Sequence, residues 1–259
     1  MIDAHCHLND ENIKQEEVET LVIRAREVGV NIMVCNGAGI SSSKRAVEIA
    51  NDYREVYATV GVHPETMEEY TQYGERAFDD LLKLTDNKRV VAIGETGIDI
   101  NENTTNEEVK LQKELFAFNI RLAKTSGLPL VVHCRDAYEI IYDMLLNMDC
   151  KKGMIHCFVG DEEWMKRFVD IGWYISYGGI LTFKKSDALR MVAKLTPLEY
   201  LLTETDSPYL SPEPMRGKTN EPKNVELVVD CLAKSKGVTR QTIIQTTEEN
   251  IKSCFTRIA

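Results

Sequence analysis

The sequence lacks an apolar run long enough to cross a bilayer, for which about 18 consecutive apolar residues are needed. Its first residues enter a strand-like apolar stretch directly, without the basic segment and apolar core of a signal peptide. These absences predict a protein that works in the cytoplasm and is not inserted in a membrane.

Cysteine is present, but not in the pattern of a metal or redox motif. The seven cysteines are an odd number, so they cannot all pair with one another, and no C-x-x-C pair occurs. Cys6, Cys134 and Cys157 each follow a histidine in a predicted strand. We expect them to face away from the imidazoles as small, reduced core residues.

Positive charge is in deficit. The chain has 31 Lys and Arg residues against 41 Asp and Glu residues, which gives a net charge of −10. This balance argues against a broad basic surface for non-specific nucleic-acid binding. It does not exclude a phosphate-containing substrate, because bound divalent cations and a few local basic residues can supply positive charge inside a site.

The sequence also lacks low-complexity segments, internal repeats and long linkers, and no glycine-rich phosphate fingerprint supports an open doubly wound sheet. What recurs is a short apolar strand followed by an amphipathic helix. The eight predicted strands span residues 2–7, 31–36, 57–62, 90–95, 129–133, 153–156, 173–177 and 200–206. This alternation predicts one domain, residues 1–259, folded as a (β/α)8 TIM barrel with an extra C-terminal helix at about 239–255.

Histidine is scarce, and all five histidines lie at predicted strand ends. His5 and His7 end the first strand, Glu95 the fourth and Asp206 the eighth. The third, fifth and sixth strands end at His63, His133 and His156. Because the C-terminal strand ends form the active-site face of this fold, we expect these polar side chains to converge.

The ligand set suits two divalent metal ions, because four imidazoles and two carboxylates exceed what one tetrahedral ion needs. Glu95 can bridge the two ions with one oxygen on each. Paired ions hold a bridging hydroxide and clamp the attacking and leaving oxygens of a displacement. Asp206 can ligate one ion and also orient or deprotonate the water. Zn2+, Mg2+ and Mn2+ all remain open as the metal.

The period of two along a strand places further residues beside the ligands. Asp3 shares the face of His5, and Glu204 shares that of Asp206, so we expect both carboxylates to hold ligands in place. Arg135 continues the face of His133. It either contacts an anionic substrate group or forms a salt bridge with a loop carboxylate such as Asp136.

Seven segments together carry a resemblance to a known family. They are residues 3–8, 61–64, 94–99, 133–137, 156–158, 203–209 and 216–222. With these segments in order, essentially the whole chain resembles the TatD family of metal-dependent deoxyribonucleases, within the amidohydrolase-like barrels. The resemblance implies that one ion is held by His5, His7, Glu95 and Asp206. It implies that Glu95, His133 and His156 hold the other.

The resemblance further implies hydrolysis of phosphodiester bonds in DNA, with a 3′–5′ exonuclease as the expected form. We count Asp206, Glu95 and Glu204 as the catalytic residues. The expected phosphate contacts are His63, Arg135, Arg216 and Lys218. The partner is then DNA or another phosphodiester, bound locally at the metal site of a monomeric protein. For the turn at 216–218, a solvated basic loop is the alternative.

Two other functions stay open. One is hydrolysis of an ester, lactone or aminoacyl substrate, as in other amidohydrolase-like barrels. Many of those barrels bridge their metals with a carboxylated lysine on strand four, where this chain has Glu95, while Lys88 precedes that strand. The other is a non-catalytic metal-binding barrel, against which the intact ligand set argues.

The chain departs from the family after the glutamate motif, where Ile100 and Asn101 stand in place of the aromatic residues that family members often carry. Nearby Glu102, Glu107 and Glu108 would repel a long polyanion unless they point away.

Overall fold

The structure, a computed structural model, describes residues 1–258. Eight parallel strands lie in chain order, from β1 to β8, in a single sheet. The strands are β1 Ile2–Cys6, β2 Ile32–Asn36, β3 Val56–Val60, β4 Val90–Asp99, β5 Leu130–Arg135, β6 Gly153–Ile155, β7 Tyr174–Tyr177 and β8 Leu201–Thr203. The predicted TIM barrel is confirmed.

Helices follow the strands and pack their apolar faces on the outside of the sheet. They are α1 Gln15–Glu27, α2 Ile40–Asp52, α3 Met67–Tyr73, α4 Glu75–Leu84, α5 Asn106–Ser126, α6 Tyr138–Asn147, α7 Glu162–Asp170, α8 Asp187–Leu195, α9 Val225–Lys236 and α10 Arg240–Cys254. Short 3-10 turns occur at Pro64–Thr66, Gly179–Thr182, Leu198–Tyr200 and Pro222–Asn224. Among the residues described, no helix is both long and apolar enough to cross a membrane.

Several strand ends differ from the prediction. β4 continues to Asp99, so Glu95 lies within it and not at its end. β8 stops at Thr203, which leaves Asp206 in the following loop with a left-handed backbone, φ 57°. The strand pattern does not reveal these ends, because a bulge in β4 and the turn at Asp206 break the regular alternation of side chains.

The seam between β8 and β1 is closed with the help of a buried side chain. Both oxygens of Asp3 bind Thr205, at 2.8 Å from its backbone N–H and 2.6 Å from its hydroxyl. The Asp206 N–H donates to the His5 carbonyl at 2.9 Å, and the His7 N–H donates to the Ser207 carbonyl at 2.7 Å. Asp3 therefore holds the segments that carry the ligands in place through backbone contacts.

The C-terminal helix closes the bottom of the barrel. The end of α10 and the residues after it contribute Ile251, Cys254, Phe255 and Ile258 to an apolar cluster inside the sheet. The strand residues of this cluster are Ile2, Ala4, Val34, Tyr57, Val91, Ala92, Val131, Met154 and Leu202. This apolar plug fills the lower half of the barrel, so polar side chains are confined to the upper mouth.

Replacement of the plug residue Phe255 should destabilise the fold without touching the mouth. Phe255 is fully buried, at 0% exposure. Phe255→Ala should lower the free energy of unfolding by about 3–5 kcal/mol, because it leaves a cavity in the barrel floor. Urea denaturation measures the loss. Leu146→Ala, at a side chain that is 50% exposed, is the control and should change stability by less than about 1 kcal/mol. Equal effects would contradict the plug.

Candidate metal centre

Glu95 is carried into the mouth by a bulge in β4. Ile93 pairs with Leu130 and Thr96 with Val132, so β4 has one more residue than β5 between these two pairs. Gly97, at φ +149°, lets β4 approach β5 closely, since a Cβ at this position would lie 1.9 Å from the His133 carbonyl oxygen. The bulge and the close approach fix Glu95 deep among the histidines.

One oxygen of Glu95 faces the two histidines of the first segment. Glu95 Oε2 lies 3.3 Å from the Nε2 atoms of both His5 and His7. Asp206 Oδ1 lies 3.4 Å from the same two nitrogens, which are themselves 3.1 Å apart. Four ligand atoms therefore surround one point beside β1.

The other oxygen of Glu95 faces a second set of histidines. Glu95 Oε1 lies 2.8 Å from His156 Nε2 and 3.3 Å from His133 Nδ1. These two ring nitrogens are 3.2 Å apart. The carboxylate is thus shared between two neighbouring groups of donors, which is the arrangement that a bridging ligand requires.

The far nitrogens of three histidines face acceptors. His7 Nδ1 lies 3.2 Å from the Asn36 carbonyl oxygen, and His133 Nε2 lies 2.9 Å from Asp99 Oδ2. His156 Nδ1 lies 3.4 Å from Glu204 Oε1. A proton on each far nitrogen leaves the near nitrogen with a free lone pair for a metal.

His63 has the opposite arrangement. Its Nδ1 accepts a hydrogen bond from the Glu65 backbone N–H at 3.1 Å, so the neutral ring carries its proton on Nε2. Nε2 points into the mouth, 3.4 Å from Glu95 Oε1. Burial lowers the pKa of His63 to about 3, against the opposing charge of Glu95. His63 is therefore a neutral donor aimed into the site.

The carboxylates of the mouth raise the pKa values of two of the histidines beside them. Burial opposes ionisation of His7, but its hydrogen bonds to Asp206 and Glu95 and their charges raise its pKa to about 10. Burial likewise opposes ionisation of His156, and Glu95 and Glu204 raise its pKa well above the usual value. Metal ligands must be deprotonated, so a bound cation would displace these protons.

The donor set fits divalent metals. Three overlapping groups have ligand atoms within 4.8 Å of one another: His5, His7 and Asp206; His5, Glu95 and His156; and His63, Glu95 and His133. Imidazole and carboxylate donors suit Zn2+ and Mn2+, and carboxylates suit Mg2+. The tautomer of His63 argues against it as a ligand, so the first two groups together with His133 form the better set.

The structure brings all six predicted ligands together, but the predicted phosphate contacts are spread out. Arg135 is 61% exposed and lies 3.8 Å from Asp99, so its ion pair is with Asp99 and not Asp136. It borders an open cleft of about 440 Å3 that is also lined by Asn101, Glu102, Asn103 and Asp136. Arg216 and Lys218 lie exposed on the loop after β8.

Glu204 lies beside a ligand, as its strand position predicts, whereas Cys157 departs from its predicted surroundings. Glu204 is fully buried behind His156, and its Oε1 accepts the Cys157 N–H at 2.8 Å. This position suits a residue that orients His156 better than one that meets water. Cys157 lies after β6 with φ 45° and is only half-buried, unlike the core residues Cys6 and Cys134. All seven cysteines are free.

Sequence reasoning did not assign a role to Asp99 or Tyr209. Asp99 shares the face of Glu95 under a period of two, a signal that was lost because the predicted strand ended at residue 95. The ring of Tyr209 is 52% exposed, lies 6.0 Å from the His7 ring, and is fixed by a 2.5 Å hydrogen bond from its hydroxyl to Asp10. An exposed aromatic ring thus flanks the ligands.

A parallel barrel with a shared carboxylate and a ring of histidines at its C-terminal face defines the class of metal-dependent hydrolase barrels. Within this class, the family model described as TatD related DNase matches residues 2–256. The chain belongs to this family.

Named relatives agree with this placement. The chain is 35% identical over 260 residues to the uncharacterized metal-dependent hydrolase YabD of Bacillus subtilis, covering 98% of both proteins. It is 37% identical over 238 residues to the uncharacterized metal-dependent hydrolase TatD of Mycobacterium tuberculosis, covering 90% and 89%. The crystal structure of YJJV, a TatD homolog from Escherichia coli, superposes with a TM-score of 0.91 at 27% identity, covering 99% and 98%.

The contact between Asp99 and His133 should control affinity for one ion. Asp99→Ala should weaken binding of that ion about 10- to 100-fold, because the ring of His133 loses the partner that orients it. Asp99→Asn retains an oxygen that can accept from Nε2, so it should lose less. Calorimetric titration of the metal-free protein with Mn2+ measures both variants. Equal losses in the two, or none, would argue against an orienting role.

Proposed function

We propose that the protein hydrolyses phosphodiester bonds of DNA as a two-metal nuclease, removing nucleotides from the 3′ end. The observation that carries this proposal is the division of Glu95, whose two oxygens each face a separate set of imidazoles. Two adjacent cations suit a displacement at phosphorus, in which the attacking and leaving oxygens both carry negative charge. The family description adds DNA as the substrate class.

In this proposal, His5, His7, Glu95, His133, His156 and Asp206 hold the two ions. Bound divalent ions would lower the pKa of water and offset the charge of the phosphate. Asp206 Oδ1 lies 3.4 Å from the Nε2 atoms of both His5 and His7, so Asp206 would hold one ion together with them and orient or deprotonate the attacking water.

His63 has a different role in the proposal. Its Nε2–H donates to a phosphate oxygen as negative charge develops there. The backbone N–H of Glu65 fixes the required tautomer beforehand. Preorganised donors of this kind stabilise transition states without any rearrangement at the moment of reaction.

The recessed position of the ligands favours a strand end. The side chain of His5 is fully buried, and that of Glu95 is only 6% exposed. A single-stranded end is narrow and flexible enough to enter between the loops around such buried ligands, whereas a phosphate of an intact duplex is held on a wide, stiff rod. We therefore infer action on single-stranded termini.

Loss of a ligand from either group should abolish cleavage. His133→Ala and Asp206→Ala should each reduce turnover of single-stranded DNA at least about 1000-fold in Mg2+, Mn2+ or Zn2+, because the cation pair is incomplete. Gel analysis of a labelled oligonucleotide measures the loss. The exposed variant Tyr73→Ala is the control and should cleave like the parent.

Wild-type turnover in both ligand variants would instead reveal a contaminating nuclease. Oligonucleotides with a free or a blocked 3′ end then test the direction. Cleavage of the blocked strand at the same rate would contradict removal of nucleotides from that end. Hydrolysis of a lactone, ester or aminoacyl substrate, together with no cleavage of any phosphodiester, would support the other hydrolase class.

If His63 is a hydrogen-bond donor and not a ligand, its replacement should lower turnover without weakening metal binding. His63→Ala should lower kcat about 100- to 1000-fold, because one transition-state hydrogen bond is removed. Both ions should remain bound, as measured by elemental analysis after gel filtration. Loss of one ion from the variant would show that His63 is a ligand.

A further inference from the structure

Basic residues are concentrated on one side of the mouth. Lys184 and Lys185 follow β7, and Arg216 and Lys218 follow β8, all four with exposed side chains. We call these four residues the basic ridge. Of the acidic residues beside them, Asp187 pairs with Arg190 and Glu221 pairs with Arg24 and Lys223, which leaves Glu213 as one opposing charge. The ridge therefore keeps a net positive charge in a chain whose net charge is −10.

The two loops that carry the ridge are fastened to each other. The Glu213 N–H donates to the Thr182 hydroxyl at 2.8 Å, and the guanidinium of Arg216 lies 3.8 Å from the centre of the Phe183 ring. Within the loop after β8, the Ser211 hydroxyl donates to the Lys218 carbonyl at 2.5 Å. The two loops thus hold the basic side chains in a fixed relation to each other, and stacking on Phe183 orients the guanidinium of Arg216.

The two loops that carry the ridge begin beside the metal centre. Asp206 lies near the start of the loop after β8, which ends at Thr203. The loop after β7 begins at Gly178, where a Cβ would lie 3.3 Å from Cγ of the buried Glu204. A strand whose terminal phosphate sits at the ligands can therefore continue outwards along these two loops. Tyr209, beside His7, offers an aromatic face close to the start of this path.

The opposite side of the mouth carries negative charge. After β3, Glu65 and Glu68 are exposed, and after β4, Glu102 and Glu107 are exposed. Glu65 lies in the turn Pro64–Thr66 that follows His63, with its carboxylate 4.0 Å from Nδ1 of that ring. These carboxylates repel a phosphate chain that would extend across the mouth in this direction.

We propose that the basic ridge binds the part of a single-stranded DNA that continues inwards from the scissile phosphate at its end. The acidic side of the mouth repels DNA, so that the strand cannot continue past the site in that direction. This inference rests on the proposed nuclease function and adds the route of the substrate. Single-stranded DNA is the fitting partner, because spaced cations track its phosphates while the stacked Arg216 and the ring of Tyr209 offer flat faces to its bases.

The test compares two charge-matched double variants of the full chain. Lys184→Gln/Lys185→Gln removes half of the ridge, and Lys110→Gln/Lys113→Gln removes two exposed lysines of α5. The probe is a fluorescein-labelled dT20 with phosphorothioate linkages, bound in Mg2+ and followed by anisotropy over a range of salt concentrations. The ridge variant should bind at least five-fold more weakly. Its salt dependence should fall by about 1.4 in log–log slope, at about 0.7 for each lost phosphate contact with a single strand.

A second arm measures cleavage of an unmodified dT20 and of the p-nitrophenyl ester of thymidine 5′-monophosphate. The ratio of kcat/KM for the long substrate to that for the small one should fall at least five-fold in the ridge variant. In the α5 variant this ratio should stay at the parent value. A short diester ends before it reaches the ridge, so only the long strand can use it.

Equal weakening of dT20 binding by both double variants would overturn the ridge, because it would reflect net charge alone. Parent-like binding by the ridge variant would also overturn it. If either happened while both substrates were still cleaved, the proposed nuclease function would stand without this route. If no phosphodiester were cleaved but dT20 binding still depended on the ridge, the route would stand and the nuclease function would fail.

Discussion

The site depends on one carboxylate held between two sets of imidazoles. Glu95 is buried, and its contacts with the surrounding imidazoles, foremost His156, hold its pKa well below the usual value against the cost of burial. A buried anion of this kind is costly unless it is paired. Here each of its oxygens faces imidazole nitrogens, and in the proposed function each would also hold a cation. The bulge in β4 and the close approach of β4 to β5 at Gly97 fix the position of Glu95.

The rest of the barrel isolates this polar cluster. Below it, the plug formed by the end of α10 and the lower strand residues excludes water. Around it, Asp99, Glu204 and the Asn36 carbonyl turn the far sides of the imidazoles outwards and leave the near nitrogens pointing inwards. The result is a rigid set of metal-binding donors on strands and strand ends, with basic and acidic residues on the loops above them. In this fold the barrel supplies stability, and the loops at its C-terminal face supply specificity.

Much of the barrel was predictable because its signals are local. Apolar strands alternate with amphipathic helices along the whole chain, and all five histidines fall near strand ends, so convergence followed from the geometry of the fold. Asp99 was missed because the predicted fourth strand ends at residue 95, whereas β4 continues to Asp99. Asp3 was placed on the correct face, but its partner Thr205 lies 202 positions away across the barrel seam.

The sequence by itself determined the fold class, the family and the identity of the residues that gather at the mouth, because periodicity and residue type are local properties of the chain. Only the tertiary structure decided how they are arranged. It gave Glu95 one oxygen for each set, assigned the proton of His63 to Nε2, and separated the basic ridge from the acidic side of the mouth. These properties depend on distances between loops far apart in sequence, which no local pattern records.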